Sequence, residues 1–167
     1  MPYIVKDSKK DYTPAPEGLH QAVCIDVVDL GIQKTQFGDQ VKIEVRWVIE
    51  EIDPKTQKQY MVLRRFTPSL HKKASLRAVL ESWRGRKFTK EEEKEFDIEK
   101  LLGANCQLQI VHSIRDNGTF ANVQACVPYP KNTPRIAVEE YIRRIDREKK
   151  YEEHPDAVAV GDEYVPF

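Results

Sequence analysis

The sequence predicts a mainly β domain, with a helical segment between its third and fourth strands and a C-terminal helix and acidic tail after its fifth. Three observations carry this. Apolar residues alternate with period two in five short stretches. The period changes to helical spacing over 71–83, where Leu76, Val79, Leu80 and Trp83 share one face. From about residue 149 onward no amphipathic pattern remains.

Residues 1–17, with Pro14 and Pro16 and no period, read as an N-terminal arm. Over 19–30 the alternation predicts a strand with Leu19, Gln21, Val23, Ile25 and Val27 on the inner face. GIQKTQFGDQ, with Gly31 and Gly38, reads as a loop. VKIEVRWVIEE alternates, with Val41, Ile43, Val45, Trp47 and Ile49 inward and Lys42, Glu44, Arg46 and Val48 outward. DPKTQKQ is a turn and YMVLRRF a third strand. The helix after it is expected to start near Ser69, with His71, Lys72 and Lys73 in its first turn, and to stop at Gly85. Thr89-Lys90-Glu91-Glu92 matches a capping box opening a second short helix.

Period two returns in NCQLQIVHSI, with Cys106, Leu108 and Ile110 inward. RDNG is a turn, and FANVQACV the last strand, with Ala121, Val123, Ala125 and Val127 inward. Pro128 and Pro130 close the domain. Thr133-Pro134 then resembles a helix start, placing Val138, Tyr141, Ile142 and Ile145 on one face. That stripe packs either on its own domain or between subunits, so a homo-oligomer is one of its two outcomes. The divisions are an arm (1–17), a domain (18–130), a C-terminal helix (131–148) and a flexible acidic tail (149–167). Five strands with a helix between the third and fourth is the chain order of an OB-fold, a five-stranded Greek-key barrel that binds oligonucleotides or oligosaccharides. A sandwich or another α+β sheet is the alternative.

Composition narrows the function. The 167 residues are 40% hydrophobic and 32% charged, enough for one domain with a core plus some tail. No run reaches the roughly 18 apolar residues of a membrane span, and the N-terminus lacks the apolar stretch of a secretory signal. A cytoplasmic protein is expected, within a bacterial host cell once the resemblance below is added. Cys24, Cys106 and Cys126 are isolated and fall in apolar runs, so buried thiols are expected, with neither a disulfide frame nor a zinc site. The acids Glu152, Glu153, Asp156, Asp162 and Glu163 lie in a stretch without Lys or Arg. Residues 1–151 therefore carry 22 acids against 27 bases, a basic body with an acidic tail. That split points to a polyanionic ligand, or to a neutral protein with a solvating tail.

No phosphate-binding glycine loop, zinc-protease or nucleophile-elbow motif is present, and the four histidines are scattered. No cofactor, catalytic residue or metal ligand is therefore assigned, although dispersed acids could still build a metal nuclease. A basic groove with stacking aromatics, the arrangement that holds single strands, is better represented. Lys34 and Phe37 fall in the first loop, and Lys42 and Arg46 on the outer side of strand two. Of the adjacent Arg64 and Arg65 only one can line a groove; Arg64 is favoured, sharing parity with Tyr60 and Phe66. Lys72 and Lys73, near the expected helix start, would suit an anion there, since cations at that end are otherwise mildly unfavourable. Arg115 in the fourth loop and Phe120 on strand five complete the set. For each the alternative is structural: Phe37 folded back as a lid, the strand cations in cross-strand pairs, the lysines solvated. By parity Trp47 and Trp83 belong to the core.

The last residues, GDEYVPF, resemble the C-terminal tip of bacterial single-stranded-DNA-binding proteins, a run of acids followed by Ile-Pro-Phe. Asp162 and Glu163 match the acids, Val165 replaces Ile, and Pro166 and Phe167 match directly, while Tyr164 stands where that family usually has another Asp. The resemblance implies a tip that docks replication, recombination or repair proteins, its Phe in an apolar pocket and its carboxylate on a basic residue. Over roughly 15–130, PEGLHQAVCIDVVDLG, SLHKKASLRAVLESWRGRKFT and FDIEKLLG resemble a group of phage and prophage proteins of replication and recombination modules. This implies non-enzymatic, sequence-nonspecific coating of single-stranded DNA, with tail-borne partner recruitment. The alternative is a phage-encoded protein-interaction module, an inhibitor or adaptor of a host protein that binds no nucleic acid.

Overall fold

The structure, a computed structural model, describes residues 13–136 and 141–147. β1 (Gly18–Thr35) is the long central strand. Its first part pairs with β4 (Asn105–Arg115), from Gly18↔Ile110 to Val23↔Asn105, and from Ala22 onward it pairs with β2 (Gly38–Ile52). β3 (Gln59–Phe66) runs along β2, and β5 (Gly118–Pro128) along β4. All pairs are antiparallel, giving an open five-stranded sheet of order β3-β2-β1-β4-β5. Between β3 and β4 the chain forms α1 (Ser75–Arg84), α2 (Lys90–Lys94) and a 3-10 turn (Ile98–Leu101).

The core lies between the inner face of the sheet and α1. Leu76, Val79, Leu80 and Trp83 of the helix are buried, as the spacing predicts, and Gly85 ends it with φ +73. Trp83 and Trp47 meet at 5.8 Å between ring centroids. Ile43, Val45, Ile49, Cys106, Leu108 and Ile110 complete this layer on the parity expected for β2 and β4. All three thiols are free and buried, and desolvation pushes those of Cys24 and Cys106 upward. The capping box forms in full: Thr89 Oγ1 accepts from the Glu92 N–H, and the Glu92 carboxylate accepts from the Thr89 N–H. Hydrogen bonds from Arg84, then from Thr89, hold Glu92 down to about 2.

Trp47 is fully buried, yet its indole N–H has no partner among the described residues. An orphaned buried donor costs about 1–3 kcal/mol. Trp47→Phe is therefore expected to stay within about 1 kcal/mol of the parent, the relieved donor offsetting the lost contacts. Urea unfolding measures this, and a loss of several kcal/mol would show that the donor is satisfied.

Several expectations need correction, and bulges account for the phases of β1 and β5. Between Cys24 and Asp26 the β1–β2 register shifts by one residue, which inverts the side-chain phase. His20, Ala22 and Cys24 point inward, then Val27; Leu19 is exposed, and Val23 and Ile25 join a cluster on the other face. A second bulge, opposite Gln109 and Ile110, places Val123 and Cys126 in the core rather than Ala125 and Val127.

GIQKTQFGDQ is mostly ladder rather than loop. Gly31 (φ +65) sits at a register shift and the strands continue beyond it, from Gly31↔Lys42 to Thr35↔Gly38. Only Gln36 and Phe37 form the turn, closed by the Thr35 hydroxyl, which donates to the Gly38 carbonyl and accepts from the Phe37 N–H.

α1 begins at Ser75, not near Ser69. Ser69 Oγ and His71 Nδ1 accept the N–H groups of His71 and Lys73, holding 69–73 as successive turns. Lys72 and Lys73 therefore precede the helix. Thr133-Pro134 starts no helix over 133–136 either: the Pro134 carbonyl accepts from the Tyr129 hydroxyl and the Ile136 N–H donates to Asn105 Oδ1, bonds to other elements in place of a helical ladder. Among the described residues of this segment, 144–147 are helical. Val138 lies outside the described residues. At the other end Ala15 is buried in the core, and Glu17 accepts the His112 N–H at 2.8 Å, so the arm is tied to β4 from there on.

Candidate nucleic-acid interface

The face of β1–β2–β3 turned away from α1 collects most of the basic groups that the register brings together. On β2 it carries Lys42, Glu44, Arg46 and Val48. β3 places Arg65 opposite Glu44, Leu63 opposite Arg46 and Met61 opposite Val48. β1 adds Val23, Ile25, Asp26 and Val28.

The C-terminal segment crosses this face as a strap. Ile136 and Tyr141 pack against Val23, Ile25 and Val48. Asp26, 1% exposed, anchors the strap. Its Oδ2 accepts from the Tyr141 hydroxyl at 2.8 Å and from the Arg144 N–H at 2.9 Å, and its Oδ1 accepts from Arg143 Nε at 3.1 Å. Asp26 thereby caps the helical turn at 144–147 from another element. Arg143 also pairs with Glu99 at 2.8 Å and donates to the Val27 carbonyl.

Glu44, 2% exposed, is held by Arg46 at 2.6 Å and Arg65 at 3.2 Å. Arg46 and Arg147 both donate to the Tyr141 hydroxyl at 3.3 Å, and the Arg147 guanidinium lies 5.6 Å from the Tyr141 ring.

The electrostatics follow from this layering. Two carboxylates lie beneath the surface, matched by the guanidiniums of Arg46, Arg65 and Arg143. Burial alone would raise the Asp26 carboxyl. The hydrogen bonds from Arg144, Tyr141 and Arg143 outweigh it and hold the group below its ordinary value, so it stays ionised. Burial, then the bond to Asp26, raises the Tyr141 phenol against the opposing Arg46, keeping it a donor at neutral pH. Arg65 and Arg147 are exposed here beside Met61 and Leu63, and Lys42, Arg46, Arg143 and Arg144 are half-buried. Such a surface suits a polyanion carrying flat apolar groups.

No protein-family model and no curated protein matches this chain.

Of the residues singled out in the sequence, Lys42 and Arg46 lie on this face. Lys42 donates to Thr67 Oγ1 at 2.8 Å and is half-exposed; Arg46 is tied to Glu44 and Tyr141. On β3 the preference inverts. Arg65 shares the face, whereas Tyr60, Arg64 and Phe66 have core parity. Phe66 is 1% exposed and Tyr60 packs against the core.

Lys34 and Phe37 project on the β1–β2 hairpin, beyond the core. Lys34 stands opposite Asp39 on the parity of Ile32 and Val41, the opposite side from Lys42. Phe37, at the turn, is 79% exposed and does not fold back as a lid. Arg115 and Phe120 pair with each other, guanidinium to ring centroid 5.7 Å, at the β4–β5 hairpin beside the other end of β1. Lys72 and Lys73 are exposed in the turns before α1. The tail residues Asp162, Glu163, Val165, Pro166 and Phe167 lie outside the described residues.

Sequence reasoning favoured Arg64 over Arg65 and did not place Tyr141, Arg143, Arg144 or Arg147 in the site. The signal was present in YIRRIDR, where a Tyr and three Arg fall within seven residues. It was absorbed into an apolar helical stripe. Among the described residues no group of three His, Cys, Asp or Glu could hold a metal ion, and no helix is long and apolar enough to cross a membrane.

Proposed function

We propose that the chain binds single-stranded DNA without sequence readout, through the outer face of β1–β2–β3 and its strap. The carrying observation is the layering of that face, with Asp26 and Glu44 buried and matched while guanidiniums and Tyr141 lie above them. Phosphates would meet Lys42, Arg46, Arg65, Arg144 and Arg147, and bases would lie on Tyr141, Met61, Leu63 and, at the hairpin, Phe37. This reading takes the sheet as an OB-type Greek-key barrel, supported by the order β3-β2-β1-β4-β5 and by Arg64 of β3 reaching the Val123 carbonyl of β5.

The role in replication and recombination, and tail-borne recruitment of partner proteins, rest on the resemblances above. Removing 161–167 is expected to leave DNA affinity equal or higher and to abolish capture of a replication or recombination partner. A large affinity loss on removal contradicts this division of labour. The proposed role is non-catalytic.

A gel shift of single- against double-stranded oligonucleotides across a salt series tests the reading. Preference for the single strand, weakening steeply with salt, is expected. Equal affinity for duplex, or no shift at low salt, contradicts it. A second reading, a protein-docking module, draws on the exposed hairpin residues Ile32, Phe37 and Val41. It gains if the same titration shows no nucleic-acid binding.

A further inference from the structure

The two edge strands, β3 and β5, face one another across a seam that no ladder closes. An open cleft of about 440 Å³ runs along it, lined by Leu63, Arg64, Arg65, Asn122, Val123 and Gln124. No carboxylate is among these residues.

Arg64 reaches into the seam with its guanidinium 5.0 Å from the centre of the Phe66 ring. Its Nη1 donates to the Val123 carbonyl at 3.4 Å, a long bond that uses one of five donors. On the opposite side the bulge in β5 leaves Gln124 without a residue facing it on β4, since Gln109 pairs with Ala125 and Ile110 with Val123. Bulges re-aim side chains at such places. Asn122 and Gln124 are both exposed and supply amide donors; Asn122 Nδ2 already donates to Ser113 Oγ at 2.9 Å.

We infer that this seam is an anion seat for one phosphodiester of a bound single strand, held by Arg64 with the amides of Asn122 and Gln124. The inference rests on the single-strand reading above and extends it. Arg64 and Arg65, adjacent on an edge strand, point to opposite faces, so a backbone leaving the outer face over the edge of β3 passes from one guanidinium to the other. The planar fork of Arg64 matches the two free oxygens of a phosphodiester, and the Phe66 ring fixes its plane. The absence of a lining carboxylate leaves nothing in the seat to neutralise it.

The test is a titration of the full chain with labelled oligo-dT at several salt concentrations, comparing the parent with Arg64→Gln and Gln124→Glu. Arg64→Gln is expected to weaken binding about tenfold. Its log–log salt slope should fall in magnitude by about 0.7, the share of one phosphate on a single strand. Gln124→Glu, an exposed substitution that leaves Arg64 in place, is expected to weaken binding comparably by putting a carboxylate into the seat.

If the parent binds and both variants keep its affinity and slope, the seat is wrong and the single-strand reading stands. Weaker binding by Arg64→Gln at an unchanged slope also overturns the seat, because Arg64 then acts only by packing on Phe66. A parent that binds no single strand removes the reading and the seat together.

Discussion

Asp26→Ala is expected to detach the strap from the sheet and to lower stability by about 3 kcal/mol, the low end for removing one partner of a buried charged cluster. The low end applies because Arg143 and the Tyr141 hydroxyl can swing into water instead of staying buried and unpaired. Asp26 is the single point where the Tyr141 hydroxyl, the Arg143 guanidinium and the Arg144 N–H converge. Without it, Val23, Ile25 and Val48 lose their cover. Urea unfolding measures the loss. Faster tryptic cleavage after Arg143, Arg144 or Arg147 reports the detachment. A variant as stable and as resistant as the parent contradicts the anchor.

The same group sets a pH dependence. The folded Asp26 carboxyl lies below its unfolded value of 3.8, so its stabilisation is fully present above that value. It is lost as pH falls through the lower folded value. Strap release is therefore confined to strongly acid solution in the parent, and this component of the acid transition is absent in Asp26→Asn.

The second large effect concerns binding. Lys42→Glu combined with Arg147→Glu is expected to weaken single-strand binding about a hundredfold near 0.1 M salt, with the salt slope smaller in magnitude by about 1.4. These two positions are chosen because neither pairs with Asp26 or Glu44, which leaves the buried clusters intact. Lys42 bonds the exposed Thr67 side chain, and Arg147 bonds the Tyr141 hydroxyl from outside. An unchanged melting transition separates this from unfolding. Unchanged affinity in a folded variant removes the outer face from the account.

Alternation located all five strands, and on β2 and β4 it also placed the inward side chains from Ile43 to Ile49 and from Cys106 to Ile110, because the extra residues at the bulges lie on the partner strands β1 and β5. On β1 and β5 it found the strand but mistook part of its phase. One extra residue near Ile25, and another at Gln124, inverts parity without leaving a composition signal. The site was legible in part for a related reason. Lys42 and Arg46 follow from parity within one strand. The choice between Arg64 and Arg65 depends on cross-strand register, which pairs Glu44 with Arg65. The strap was unreadable as a strap because its anchor, Asp26, lies more than a hundred residues away in β1, and a single Asp in an apolar run names no partner.

The most direct measurement is photo-crosslinking of the full chain to a single-stranded oligonucleotide carrying a photoreactive thymine, followed by peptide mapping. Crosslinks in the peptides that carry Tyr141 and Met61, suppressed at high salt, are the predicted result. Crosslinks confined to the α1–α2 side of the molecule, or none under conditions where a control single-strand binder is labelled, would contradict the account.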